Sequence, residues 1–257
     1  MKKKVVAIIP ARMAASRFPG KPLAQILDLP MIEHVRRRAL LCKALDEVYV
    51  ATCDKEIFDV VSSYGGRAIM TKDTHVRCTD RVEEAIRHVK ADIVVILQGD
   101  ELLFDGRIVE NLVRPLHEDS ALGCANGVTP IRRPQDLQNP DIVKTLLDVQ
   151  GNILYFSRSP VPYVRVRHNH HVFRQTGLSA FSVDFLKKFS GLEPTPLEIT
   201  ESVDFLRILE HRFPIRAVIY DGESMGVDRP DDIAIVEDIL QQDKKQRNFY
   251  TQILQLK

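Results

Sequence analysis

The sequence predicts a three-layer α/β fold: a mostly parallel sheet between helices, with an antiparallel extension at about residues 130–185, in one domain of 257 residues. Two observations carry this. Up to residue 117, short aliphatic runs such as Val5-Val6-Ala7-Ile8-Ile9 and Ile93-Val94-Val95-Ile96-Leu97 alternate with longer amphipathic stretches. Parallel strands need such crossovers between them. Beyond residue 117 the pattern changes to β-like segments joined by turns, as in Asn139-Pro140 and Gln150-Gly151-Asn152, which suits antiparallel pairing.

Residues 5–9 form a buried strand ending at Pro10, and the polar, Gly- and Pro-punctuated segment 11–22 is a loop. Residues 31–44 place Ile32, Val35, Ala39 and Cys42 on one helical face. After a strand at 48–51, Asp54 is placed to cap a helix running to Tyr64, which Gly65-Gly66 would end. A short strand at 68–70, a loop at 71–79 and a helix at 81–89 lead to the apolar strand 92–97, stopped by Gln98-Gly99-Asp100. A helix at 107–117 follows, then strands at 122–128, 143–149, 152–156 and 173–181 around a long loop at 157–171. The chain closes with a helix at 197–211, a strand at 215–220 and a helix at 230–241. Phe249, Ile253 and Leu254 in the tail suit a helix packed on this subunit or on a neighbour, and Phe181, Phe185 and Phe189 suit the core or an interface.

Lys plus Arg total 36 against 35 for Asp plus Glu, a formal charge of +1, which argues against a nucleic-acid partner. The longest apolar runs are too short to span a bilayer. Met1-Lys2-Lys3-Lys4 is followed by no adequate apolar region or cleavage site, so a cytoplasmic protein without membrane insertion is expected. Cys42, Cys53, Cys78 and Cys124 are scattered and read as free thiols.

Open parallel sheets bind ligands beyond the carboxyl ends of their strands, which directs attention to residues 11–22 and 98–100. In the loop Pro10-Ala11-Arg12-Met13-Ala14-Ala15-Ser16-Arg17-Phe18-Pro19-Gly20-Lys21-Pro22, Arg12, Arg17 and Lys21 supply the cations a triphosphate needs. Ser16 and the loop amides add donors. An exposed basic loop explains the same residues. Asp100 and Asp228, in Gly226-Val227-Asp228-Arg229-Pro230, have the oxygen chemistry that Mg2+ prefers, yet a turn residue and a helix cap explain them equally well. His168, His170 and His171 lack a nearby Cys or carboxylate to complete a metal set, and no metal is assigned there.

With these residues in view, the chain resembles the 3-deoxy-manno-octulosonate (Kdo) cytidylyltransferases of the nucleotide-sugar transferase superfamily. The resemblance runs in order through residues 9–23, 72–81, 97–101, 155–162, 196–210 and 226–232. Its most specific elements are the P-A-R-x-x-S-R-x-P-G-K-P-L loop, Gln98-Gly99-Asp100 and Tyr155-Phe156-Ser157-Arg158. It implies an enzyme in which the hydroxyl of a sugar acid attacks the α-phosphate of CTP, with Mg2+ balancing charge and pyrophosphate leaving, for lipopolysaccharide or other surface-polysaccharide synthesis. It also implies a homodimer formed through the antiparallel extension. Mapped onto this sequence, Ala11, Arg12, Ser16, Arg17, Lys21, Thr79, Arg81 and Gln98 would bind the nucleotide. Asp100 and Asp228 would hold the metal, and Arg12, Lys21, Asp100 and Asp228 form the catalytic set. Arg158, Gln175, Glu201 and Asp204 would meet the sugar. Arg158 is cast as its carboxylate holder, with a surface ion pair as the alternative; for Glu201 and Asp204 the alternative is a solvated helix face.

The sequence departs from the family pattern on the acceptor side. Arg77-Cys78 stands where Ser-Gly precedes Thr-Asp-Arg, Leu102 follows Glu101 in place of Pro, and Gln175, Ser179, Phe181 and Phe205 replace His, Tyr, Tyr and Gln. These changes point to an altered acceptor site and leave two alternatives beside Kdo activation: a different anionic acceptor, or a non-catalytic nucleotide-binding homologue.

Overall fold

The computed structural model describes residues 2–14, 17–166, 171–221 and 226–256. Ser16, His168 and His170 lie outside the described residues. In chain order the first half comprises β1 (Val5–Ala11), a ribbon of β2 (Gln25–Ile26) and β3 (Leu29–Pro30), α1 (Met31–Leu40), β4 (Glu47–Thr52), α2 (Lys55–Ser63), β5 (Ala68–Met70), α3 (Cys78–Ile86) and β6 (Ile93–Leu97). There follow α4 (Gly106–Glu118), β7 (Cys124–Pro130), α5 (Pro134–Gln138), β8 (Lys144–Leu147), β9 (Ile153–Ser157), β10 (Phe173–Ser182) and α6 (Val183–Ser190). The chain finishes with α7 (Pro196–Glu201), α8 (Phe205–Glu210), β11 (Ile215–Ile219), α9 (Asp232–Gln242) and α10 (Lys244–Leu254).

The main sheet runs β11-β7-β10-β6-β1-β4-β5. β1 pairs in parallel with β4 and β6, β4 with β5, and β7 with β11. β10 is antiparallel to both of its neighbours, β6 and β7. The first two residues of β10, Phe173 and Arg174, also pair with β8, which forms an antiparallel hairpin with β9. This is the expected antiparallel segment. Register pairs Ile8 with Ile96 and Ala11 with Thr52, so the ends of β1 and β6 open on one edge of the sheet, where the phosphate loop and Gln98-Gly99-Asp100 emerge.

Both faces of β1 are covered, which is why its apolar run does not alternate with polar residues. Val5, Ala7 and Ile9 pack beneath α1, α4 and α9, and Val6 and Ile8 beneath α3, α6 and α8. Ile8 and Ile9 are fully buried, and truncating either to alanine would cost roughly 2–5 kcal/mol. Phe181 stacks parallel to Phe185 and Phe189 at 6.4 and 6.1 Å within the second face, as expected of core residues. The C-terminal helix packs on its own chain. Arg38 at the end of α1 donates to Gln246 Oε1 at 2.8 Å and lies 5.0 Å from the Phe249 ring centroid, and Ile253 is fully buried.

The structure corrects several local expectations. α1 ends at Leu40, and α3 begins at Cys78 and stops at Ile86. The expected helix 197–211 is two helices, broken at Ser202, whose φ of 52° is left-handed. Asp54 precedes α2 but makes no side-chain cap; its Oδ2 accepts instead from Met13 N at 2.8 Å. That bond ties the phosphate loop to the end of β4. Asp228 is no helix cap either, because Asp232 Oδ2 accepts from the amides of Asp228 and Arg229, both at 2.8 Å.

Candidate active site

The phosphate loop returns to the sheet through Gly20, whose φ of 74° is easily adopted only by glycine and whose amide donates to Met13 O at 3.0 Å. This turn aims Lys21 across the sheet edge. Lys21 Nζ lies 2.5 Å from Asp100 Oδ2 and 2.9 Å from Val227 O. Val227 N in turn donates to Asp100 O at 3.3 Å, and Glu101 bridges Gly226. Two aspartates separated by more than a hundred residues in sequence are therefore neighbours. Asp228 pairs with Arg17 at 2.8 Å, and Arg17 also reaches Asp141 at 3.4 Å.

Two cavities lie along the same sheet edge, both lined by Gln98, two residues before Asp100. One, of about 180 Å³, is lined by Pro10, Ala11, Arg12, His75, Val76, Arg77, Cys78, Arg81 and Gln98. Arg81 is almost fully buried; its guanidinium donates to Thr71 Oγ1 and Lys72 O. Glu84 accepts from Lys72 N and meets His75, so α3 holds the 71–75 loop as one wall. Burial alone would raise the Glu84 carboxyl, but the His75 contact and the Lys72 amide outweigh it and hold the group below its ordinary value. The second cavity, of about 220 Å³, is lined by residues that include Thr79, Ile96, Asn126, Gln175, Ser179, Asp204 and Phe205.

Cys78 and Gln98 line both cavities, and Gln98 Nε2 lies 2.9 Å from Cys78 Sγ, so this pair is the partition. Burial pushes the Cys78 thiol up to about 12, which keeps it protonated at neutral pH. Gly177 backs Gln98 closely: a Cβ there would come within 2.5 Å of Gln98 Cγ, and its carbonyl accepts from Gln98 N at 3.1 Å. Asp204 Oδ2 accepts from Thr79 Oγ1 at 2.9 Å. Burial raises the Asp204 carboxyl, with the Thr79 hydrogen bond and the charge of Arg77 opposing.

The sequence expectations thus divide. Ala11, Arg12, Arg17, Lys21, Thr79, Arg81, Gln98, Asp100, Asp228, Gln175 and Asp204 gather along one sheet edge. Arg158 and Glu201 instead bind each other's segment. Arg158 Nε donates to Glu201 O at 2.7 Å, Nη1 to Pro140 O at 2.9 Å and Nη2 to Ser202 O at 3.5 Å. Glu201 accepts from Ser157 Oγ and Arg158 N. In this arrangement the Arg158 guanidinium, expected to hold the sugar carboxylate, is engaged with main-chain carbonyls, because the break at Ser202 leaves the end of α7 in need of donors. Glu201 likewise has both oxygens committed. Asn126, buried with its Oδ1 meeting no donor among the described residues, and Thr176 join the second cavity without having drawn notice in the sequence.

Among the described residues, no three His, Cys, Asp or Glu side chains cluster as a metal site. The carboxylates of Asp100, held by Lys21, and of Asp228, held by Arg17, stand on adjoining segments, and one or two carboxylates are the protein donors Mg2+ takes when substrate phosphates and water complete the shell.

An α/β sheet with a cationic loop and an acidic pair at its carboxyl edge is the architecture of a nucleotidyltransferase, and the cytidylyltransferase family model matches residues 6–219. Curated 3-deoxy-manno-octulosonate cytidylyltransferases are similar along nearly their whole length. The protein of Syntrophotalea carbinolica is 42% identical over 91% of this chain and 97% of its own, and that of Syntrophobacter fumaroxidans is 42% identical over 93% and 98%. The solved structure of CMP:2-keto-3-deoxy-manno-octonic acid synthetase complexed with CTP superposes with a TM-score of 0.88 at 37% identity, covering 93% of this chain and 99% of that one. The 4-diphosphocytidyl-2C-methyl-D-erythritol synthase of Anaerococcus prevotii, at 14% identity and a TM-score of 0.62 over 93% of this chain and 99% of its own, shares the fold. The chain belongs to the 3-deoxy-manno-octulosonate cytidylyltransferase family.

Proposed function

We propose that this enzyme transfers CMP from CTP to the anomeric hydroxyl of a 2-keto sugar acid, Kdo or a close relative, in the cytoplasm. The reading rests on one observation above the others: Lys21 Nζ joins the phosphate loop, Asp100 and the 226–229 turn within 2.9 Å. Arg12, Arg17, Lys21 and the loop amides take the triphosphate. Ala11, Thr79, Arg81 and Gln98 frame the nucleotide cavity, and the second cavity receives the acceptor through Gln175 and Asp204. Asp100 and Asp228 would hold Mg2+, which when bound supplies charge neutralisation at the α-phosphate and the leaving pyrophosphate. The protein's work is positioning and charge stabilisation, since phosphoryl transfer needs no covalent help from it. Exposed Leu154, Tyr163, Val164 and Val166, on or after the β8–β9 hairpin, support a homodimer through that extension.

The test is Mg2+-dependent pyrophosphate release from CTP across a panel of sugar acids. Asp100→Ala and Asp228→Ala are expected to lower kcat at least ~100-fold with an unchanged circular dichroism spectrum. Near-normal turnover by either variant would overturn the assignment. The convergence of Cys78, Gln175, Ser179 and Phe205 on one cavity favours an acceptor other than Kdo itself; Kdo emerging as clearly the best substrate would refute that second reading.

A further inference from the structure

The acceptor's acid group needs a cation, and the geometry limits where that cation can be. In the ring form of a 2-keto sugar acid, the attacking hydroxyl and the carboxylate sit on the same carbon. An acceptor whose hydroxyl faces the α-phosphate therefore presents its carboxylate at the junction between the nucleotide and acceptor cavities. Among the described residues the lining of the acceptor cavity holds no cation and does hold Asp204, which disfavours a deeper seat for the carboxylate.

Among the described residues, the cations near this junction are Arg12, Arg77 and Arg81. Arg81 is buried and engaged with Thr71 and Lys72. Arg12 lines the same cavity directly after β1 and is assigned with its loop to the triphosphate. Arg158 is held by carbonyls, and Arg174 lines a different cleft beside Asp228. Arg77 directly precedes Cys78, the residue shared by both cavities, and its guanidinium reaches towards the acceptor side. Nη1 lies 3.2 Å from Ser202 Oγ and Nε 3.8 Å from Glu198 Oε1. These ties are weak. Glu198 is already gripped by Arg207 at 2.6 and 2.7 Å, and the Arg77 charge is also felt at Asp204, which places the guanidinium beside the acceptor cavity.

We propose that Arg77 binds the carboxylate of the acceptor at the junction of the two cavities, while the hydroxylated tail enters the cavity lined by Asn126, Gln175, Ser179 and Asp204. The fork of an arginine suits a carboxylate bidentately, and Phe205 and Ile96 supply an apolar wall that disfavours a second charge on the tail. This inference rests on the reading of the chain as a sugar-acid cytidylyltransferase.

The experiment compares the fastest sugar-acid substrate with its C1 carboxamide, in wild type, Arg77→Ala, Arg77→Gln and Arg77→Lys, by pyrophosphate release. Arg77→Ala should lower kcat/KM for the acid by about 10- to 100-fold, the worth of a charge-assisted hydrogen bond, while KM for CTP stays unchanged. The acid-to-amide preference should collapse in Arg77→Ala and Arg77→Gln and be partly restored in Arg77→Lys. A merely structural Arg77 would depress acid and amide alike, and Arg77→Gln guards against a folding defect in the alanine variant. An unchanged acid-to-amide ratio with active wild type overturns this assignment alone. Absence of pyrophosphate release by wild type with every sugar acid overturns the underlying activity and the assignment with it.

Discussion

Removing Arg207 should unsettle the helical floor behind the acceptor cavity far more than removing both it and its partner. Glu198 and Arg207 join α7 to α8 by two hydrogen bonds of 2.7 and 2.6 Å, with side chains 1% and 6% exposed. Arg207→Met strands a buried carboxylate whose remaining cation, Arg77, is 3.8 Å away. Breaking such a pair costs about 3–5 kcal/mol, whereas replacing both partners with apolar groups is close to neutral. For a chain of this size the single variant should melt roughly 10 °C lower. Arg207→Met/Glu198→Leu should recover to within ~1 kcal/mol of wild type. The pH dependence carries the sign. Burial would raise the Glu198 carboxyl, but the Arg207 hydrogen bonds and charge, aided by Thr195 N–H and Arg77, win and hold it below the ordinary carboxylate range. Its stabilisation is therefore complete above the unfolded value of about 4.3 and is lost as pH falls through the folded one. Without Arg207 the burial effect is left largely unopposed, so the deficit of the single variant should shrink as the medium is acidified from pH 7 towards 5. Urea titrations at both pH values read this out. A cost below ~1 kcal/mol for Arg207→Met, or a double variant as unstable as the single, would refute the reasoning.

His34 is fully buried, with Nε2 2.7 Å from Ile26 O. Burial, helped by the charges of Arg38 and Arg37, lowers its pKa to about 4. The unfolded chain therefore binds a proton that the folded one refuses, and stability should fall by roughly 3 kcal/mol as pH drops from about 6.5 to 4. His34→Gln should flatten that segment of the urea-midpoint profile; superimposable slopes would exclude the histidine as its source. Burial also pushes the Cys42 and Cys78 thiols up to about 12 and raises Cys124 well above its ordinary value. At pH 8, a chromogenic disulfide reagent should titrate these three slowly in native protein and all four cysteines at once in urea; rapid native labelling of Cys78 would show that the partition is open.

Most of the fold was legible because the buried strands announce themselves by composition. Val5 to Ile9 and Ile93 to Leu97 are aliphatic on both faces, and only a covered parallel sheet wants that. The phosphate loop and Asp100 were legible for a related reason, since both fall where such strands end. What escaped notice depended on main-chain groups, which all residues share. Nothing in the letters around Ser202 betrays its left-handed turn, so 197–211 reads as one helix. The carbonyls which that turn exposes are what claim Arg158. Asp54 was misread by the same blindness: its partner is the amide of Met13, brought near by strand pairing. Asn126 gave no signal within a β-like run, although it lines the acceptor cavity and its buried Oδ1 meets no donor among the described residues.

β10 belongs to two neighbourhoods at once. Its first residues pair with the β8–β9 hairpin, its last with β6, and between them the register with β7 shifts over Gln175 to Ser179. That irregular stretch contributes Gln175, Thr176, Gly177 and Ser179 to the acceptor cavity. The outlying hairpin and that cavity wall are consequently joined by one continuous strand. On the proposed function, substitutions far out on the hairpin are expected to alter acceptor preference through this shared strand, without any altered residue meeting the ligand.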